Sequence, residues 1–298
     1  MGVITKNPKH PPYPVTRYTL DVSEFVKIGI LVACHNRVNV TSKWLQSLVE
    51  QVPENWVVTL IAVDDGSSDG TNELLKSSPI VTQVERGDGS WYWAKSMSRA
   101  EYILTENYEF DYLAWVNDDT TYFNNSFTYV DQIREKNPQA ILVGQFVDRD
   151  TEQISYGGMK KVGRHPFRYR MIETIEEAQE CDVFNGNFVL IPRNAHRKIG
   201  SIDGKYAHGY ADFDYSRRAA ANQIKMLILK QPIGECSENL VDPTDFSTVK
   251  ERIMFLRGRK GMPLKSHIRY LRKYGPIEWP IYIVLPYLRA IFNIKPNR

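Results

Sequence analysis

Cysteine is scarce in this chain: three residues in 298, Cys34, Cys181 and Cys236, with no CxxC pair and no Cys/His cluster. That odd, dispersed set excludes a disulfide framework and a structural zinc site, and it fits a reducing compartment. Long apolar runs are also missing. No stretch reaches the roughly 18 to 20 apolar residues that cross a bilayer, and the opening MGVITKNPKHPPYP lacks a signal-peptide core. Gly2 begins a myristoylation pattern that Lys6 leaves incomplete. Glycine-rich phosphate loops are absent as well. Gly87-Asp88-Gly89-Ser90-Trp91-Tyr92 lacks the third glycine of a dinucleotide fingerprint, and no GK[ST] follows a glycine-rich turn, which argues against a dinucleotide or ATP site of either type.

What is present reads as a globular α/β chain. Val26 to Ala33 is a β-branched, nearly all-apolar run, the pattern of a parallel strand covered on both faces. Asn39 or Thr41 is placed to cap a helix running to about Val52, and Trp56 to Val63 repeats the buried-strand pattern before Asp64-Asp65. The turn residues that follow lead to a short helix over Thr71 to Ser77, a strand over Ile80 to Val84, a helix over Trp93 to Glu106 and a strand over Tyr112 to Val116. Alternation of this kind predicts a doubly wound sheet with ligands at the carboxyl ends of its strands. Beyond residue 138 the pattern loosens: strands over Ala140 to Val147 and Val183 to Ile191, a hairpin signal at Gly157-Gly158 and a helix near Tyr215 to Asn222.

Polar clusters stand at three strand ends: Cys34-His35-Asn36-Arg37, Asp64-Asp65 and Asn117-Asp118-Asp119. Carboxylates there would repel a bare pyrophosphate. Phosphate binding would therefore need a bridging cation, and hard oxygen ligands favour Mg2+ or Mn2+.

The ordered segments KIGILVACHNR, VDDGSSDGT, WVNDDT, FNGNFVLIPR and GYADFDYSRRA, covering Lys27 to Glu238, together resemble family 2 glycosyltransferases of the GT-A fold. The resemblance implies a mostly parallel central sheet flanked by helices, with a Rossmann-like donor-binding half over 26–120 and a mixed acceptor half over 121–245. An N-terminal extension (1–25) precedes it and a basic, helical appendage (246–298) follows. It implies inverting transfer of a sugar from a UDP- or dTDP-linked donor to a glycan hydroxyl. Asp119 is then the metal ligand and Asp212 the catalytic base, with Asp214 as the alternative on the same helix. Donor contacts fall on Ala33, His35, Arg37, Asp64, Asp65, Arg86, Asp88, Trp93, Lys95, Asn117 and Asp118. Asn185, Gly186, Asn187 and Ala211 line the sugar and acceptor pocket. Where relatives carry a metal-binding His, this chain reads Gly234-Glu235-Cys236-Ser237-Glu238, leaving Glu235 or Glu238 as substitutes.

Two rival readings are a sugar nucleotidyltransferase, disfavoured because no glycine-rich basic loop follows the first strand, and an inactive sugar-nucleotide binder, prompted by Asn117 and Ala211. The net charge of +3 is uneven: Lys250 to Arg298 holds twelve basic residues against two acids. No nucleic-acid partner is expected. The tail fits an anionic membrane surface, with the protein peripheral at the cytoplasmic face and working on a lipid-linked acceptor in surface-polysaccharide, O-antigen or capsule synthesis. The other reading packs the tail on the catalytic domain or on a second copy of the chain.

Overall fold

A computed structural model describes residues 25–173, 179–207, 209–237, 241–258 and 261–295. The chain opens as β1 (Val26–Cys34), α1 (Val38–Gln51), β2 (Trp56–Asp64), α2 (Thr71–Ser77), β3 (Val81–Arg86), α3 (Tyr92–Asn107) and β4 (Tyr112–Asn117). β1 pairs in parallel with β2 on one side and β4 on the other, and β2 with β3, which makes the expected doubly wound half. Side chains alternate across β1: Ile28, Ile30 and Val32 enter one core with Trp44 of α1, and Leu31 enters the other with Met97 and Leu104 of α3. All are essentially solvent-free, and burying each contributes about 1.5–3 kcal/mol. A Cβ at Gly29 would run into the methyl groups of Leu104, so any other residue there would force Leu104 to shift.

The mixed half adds β5 (Thr121–Tyr122), α4 (Ser126–Lys136), β6 (Ile141–Val147), β7 (Ile154–Tyr156), β8 (Gly158–Lys161), β9 (Tyr169–Met171), β10 (Gln179–Glu180), β11 (Val183–Phe184), β12 (Phe188–Pro192), α5 (Arg193–Ile199), α6 (Ala211–Ala221) and β13 (Met226–Glu235). Among the described residues the main sheet runs β10-β13-β6-β12-β4-β1-β2-β3, with β5 and β7 attached at β13 and β6. β12 lies antiparallel between β4 and β6, so one sheet passes through both halves.

Four expectations need correction. The run from Val183 to Ile191 is two strands, because Asn185-Gly186-Asn187 breaks it and sends β11 to a separate sheet with β8 and β9. Gly157-Gly158 is no hairpin turn. The chain changes sheets there, and a Cβ on Gly158 would lie 2.5 Å from Ile228. Neither Asn39 nor Thr41 caps α1; its first amides are met from afar, Arg37 N by Thr71 Oγ1 (3.3 Å) and Val38 N by Asp69 Oδ2 (2.9 Å). The helix placed near Tyr215 begins four residues earlier, after Tyr210 at φ 78°, which puts Asp212 in its first turn.

The C-terminal region forms α7 (Val249–Arg257), α8 (Leu264–Tyr274) and α9 (Trp279–Phe292). α8 is bolted to the body by Lys273 Nζ to Asp214 Oδ1 (2.7 Å) and Arg269 Nη2 to Asp203 Oδ2 (2.6 Å). Pro286 inside α9 has no N–H, so the carbonyl of Tyr282 loses its helical donor. His267 Nε2 donates to that carbonyl at 3.0 Å, leaving Nδ1 to accept from the Tyr210 hydroxyl, also at 3.0 Å. Among the described residues no helix is long and apolar enough to cross a membrane.

Candidate active site

Four carboxyl-end loops build one polar rim. The loop after β2 is organised by its own acids. Asp65 accepts from Gly89 N (2.9 Å), Trp91 N (3.2 Å) and Tyr92 N (2.8 Å), fixing the loop that starts α3. Asp64, wholly buried, accepts from Ser67 N at 3.0 Å, and its second oxygen lies 3.8 Å from Arg86 Nη1. Both acids are buried beneath the rim, and among the described residues Asp64 Oδ2 has no hydrogen-bond partner. Arg86 also donates to Ser67 O (2.9 Å). Of the exposed residues expected nearby, His35 Nδ1 lies 2.6 Å from Asp65 O, Asp88 accepts from Ser90, and Lys95 Nζ sits 4.6 Å above the Trp91 ring.

The Asn117-Asp118-Asp119 corner is tied to the loop after β1. Arg37 Nη1 bridges Asp118 Oδ1 (3.2 Å) and Asp119 Oδ2 (3.0 Å), while Thr41 Oγ1 donates to Asp118 Oδ2 at 2.8 Å. Asp118 is buried, and burial pushes its carboxyl up to about 6 against the opposing pull of Arg37 and Thr41. The side chain of Asp119 is 29% exposed and open to a ligand. Cys236 Sγ approaches Asp119 Oδ1 at 3.8 Å, and Asn187 Nδ2 donates to that sulfur at 3.4 Å. Burial raises both the Cys236 and the Cys34 thiols, so neither is a ready nucleophile.

Asn185, Gly186 and Asn187 join this corner to α6. Asn117 N donates to Asn187 O (3.2 Å), Phe184 N donates to Ser216 Oγ of α6 (3.2 Å), and the Gly186 N–H lies near enough to Asp212 to favour its charged form. Trp93 lies beneath, its Nε1 donating to Asn117 Oδ1 (2.9 Å) and its ring 2.7 Å from where a Gly186 Cβ would stand. Ala211 is fully buried at the start of α6. Ala33, paired with Val63 and Asn117 in the sheet, carries the rim's floor. Burial pushes the Asp212 carboxyl up to about 6, with the N–H groups of Phe213 and Gly186 opposing it. Asp214, two residues on, is fully enclosed by Arg218 Nε (2.8 Å), Lys273 Nζ (2.7 Å), Tyr274 OH (2.9 Å) and Tyr206 OH (3.3 Å), and is a structural hub.

Glu235, one of the two substitutes for a metal-binding His, is instead paired with Arg149 (3.0 Å); Glu238 lies outside the described residues. Among the described residues no three His, Cys, Asp or Glu side chains gather as a metal cage. A single open carboxylate still fits Mg2+ or Mn2+ arriving on a diphosphate, since such ions commonly take one or two carboxylates plus substrate oxygens. The residues sequence reasoning missed are Thr41 as the partner of Asp118 and Cys236 as the neighbour of Asp119; neither contact has a local signal.

The sheet with acids along its carboxyl rim is the GT-A fold of nucleotide-sugar transferases. It is shared with S. aureus TarS 1-349 (14% identity, TM-score 0.54, 89% of this chain and 81% of that one), also solved with UDP-GlcNAc. GalNAc-T7 with UDP, GalNAc and Mn2+ is similar at 14% identity and TM-score 0.55, covering 90% of this chain and 55% of that one. PcManGT, a mannosyltransferase from Pyrobaculum calidifontis in complex with GDP-Man and Mn2+, gives 13% and 0.50, covering 91% and 75%. No curated protein matches in sequence. The chain belongs to glycosyl transferase family 2, whose pattern it matches over residues 29–200, and it is a glycosyltransferase.

Proposed function

We propose that this chain transfers one sugar, with inversion, from a UDP- or dTDP-linked donor to a hydroxyl of a lipid-linked glycan, as a step in surface-polysaccharide synthesis at the cytoplasmic face of a membrane. The observation that carries the reading is the Asn185–Asn187 segment, which touches the helix of Asp212 at one end and the Asn117–Asp119 corner at the other. In this reading two acids of different character, Asp119 and Asp212, serve one site. Complexes of the similar folds with UDP-GlcNAc, GDP-Man and Mn2+ support a nucleotide-sugar donor and a divalent cation.

Asp119 would hold Mn2+ or Mg2+, which when bound supplies positive charge to the leaving diphosphate. Arg37, fixed between Asp118 and Asp119, adds a permanent cation to the same corner. Asp212 serves as general base. With its carboxyl near 6 it is ionised at neutral pH yet basic enough to take the acceptor's hydroxyl proton. The freed oxygen pair forms the new bond to the anomeric carbon as the bond to the phosphate oxygen breaks, and nucleoside diphosphate leaves from the opposite face.

A panel of nucleotide sugars, screened by thermal shift with and without Mn2+, tests this directly, because a ligand bound only by the native state raises its stability. Metal-dependent stabilisation by at least one donor is expected, together with slow release of nucleoside diphosphate that Asp212→Asn abolishes while sparing binding. No stabilisation by any nucleotide sugar would overturn the reading.

A further inference from the structure

Away from the rim, α9 and the loop between β8 and β9 enclose a cavity of about 420 Å³, within the range of ligand sites. Phe167, Leu256, Met262 and Leu285 give it apolar walls. Two guanidiniums, Arg168 and Arg289, also line it, and among the described residues neither is in an ion pair. Their joint field is felt by His165 on the same wall, which burial and the two arginines hold below the usual imidazole range. The wall's carboxylate, Asp242, accepts from Thr244 N and Oγ1 at 2.8 and 2.7 Å. On its other side α9 presents Ile281, Val284, Leu288 and Ile291 to solvent at one-helix-face spacing, each more than 40% exposed. An apolar chain leaving the cavity would therefore meet apolar surface.

The cavity is also close to the catalytic helix. Phe167 stacks on His267 (5.0 Å between centroids) and lies 5.5 Å from Tyr210, whose hydroxyl donates to His267 and whose backbone begins α6.

We propose that this cavity binds the anchor of the acceptor: an amphiphile with a long hydrocarbon chain between α9 and the β8–β9 loop and a phosphate head on Arg168 and Arg289. The assignment rests on the lipid-linked acceptor reading. Hydrocarbon walls select the chain, and the two cations select an anionic head over a neutral one. A bare membrane surface would need only the outer face of α9 and would leave the cavity unused.

Calorimetric titration of the full chain with dodecyl phosphate below its micelle concentration tests the site, with dodecyl maltoside as the neutral-head arm and inorganic phosphate as the head-without-chain arm. One dodecyl phosphate per chain is expected, at least tenfold tighter than either control. Arg168→Gln with Arg289→Gln should weaken it at least tenfold, and Leu285→Trp, which fills the cavity, should remove it. If Leu285→Trp fails to fold by circular dichroism, Leu285→Phe takes its place. Equal binding of dodecyl maltoside, saturation by inorganic phosphate alone, or adsorption to anionic vesicles untouched by the cavity variant with no stoichiometric binding would each overturn the site. Donor binding with Mn2+ is measured on the same samples: its loss in the wild type would defeat the transferase reading while leaving the cavity result to stand or fall on its own.

Discussion

Asp212 and Asp214 sit two residues apart on α6, yet replacing each by asparagine should have opposite consequences. Asp214 is fully buried and holds Arg218, Lys273, Tyr274 and Tyr206. Breaking a buried ion pair from one side costs about 3–5 kcal/mol when the remaining charge is stranded. Here the stranding is partial. Lys273 is 42% exposed and can return to water, so its share falls towards the ~1 kcal/mol of surface pairs. Arg218 keeps the carbonyls of Ile199 (2.6 Å) and Ser201 (2.9 Å). The expected loss for Asp214→Asn is therefore about 2–3 kcal/mol, between those limits. Asp212→Asn removes a carboxylate whose charged form is disfavoured by burial, and it should leave stability unchanged or raised at pH 7.5 while ending transfer. Urea unfolding at constant slope, read as the shift of midpoint, measures both. The pH dependence adds a second check. Burial alone would raise the Asp214 carboxyl, but Lys273 and Arg218 overcome it and hold the group below the usual carboxylate range. Its stabilisation is thus present above the unfolded-state value and lost as pH falls through the lower folded one, so the gap between wild type and Asp214→Asn should close in acid. Equal midpoints for wild type and Asp214→Asn at pH 7.5, or a gap that widens in acid, would refute the reasoning.

Three further outcomes are expected. The acid limb of wild-type kcat/KM should fall tenfold per pH unit below about 6, as Asp212 takes up its proton, and a profile flat down to about pH 5 would refute its assignment as base. Asp119→Ala should abolish the Mn2+-dependent part of donor binding in calorimetry and leave the unfolding free energy within ~0.5 kcal/mol of wild type, as befits a partly exposed side chain. Gly186→Ala, whose Cβ would lie 2.7 Å from the Trp93 ring, should cost ~1–3 kcal/mol of stability and lower kcat by displacing the segment against Asp212.

How much of this was legible in the residues depends on whether the cause was local. β1, β2 and β4 were readable because each is a continuous apolar run, the mark of a strand covered on two faces, and each ends in the polar cluster that forms the rim. The start of α6 was not, since its N-cap is Tyr210 in a left-handed conformation that no sequence rule assigns to tyrosine. Asn185-Gly186-Asn187 was marked as a pocket segment but read through as strand, because its apolar flanks hid the break. The caps of α1 come from residues 34 and 31 positions away, the arginine that locks Asp118 and Asp119 from 81 and 82 away, and contacts of such span leave no periodic trace. Asp64 and Asp65 were recognised as special, but their spacing cannot tell an acid facing a ligand from one pinning its own turn.

Pro286 looks at first like a flaw in the last helix, yet the imidazole that repairs it also holds the hydroxyl at the threshold of α6. Trimming the polypeptide after residue 275 for easier handling would therefore strip a prop from beneath Asp212, the proposed base, and a chain so shortened should bind its nucleotide and turn over poorly.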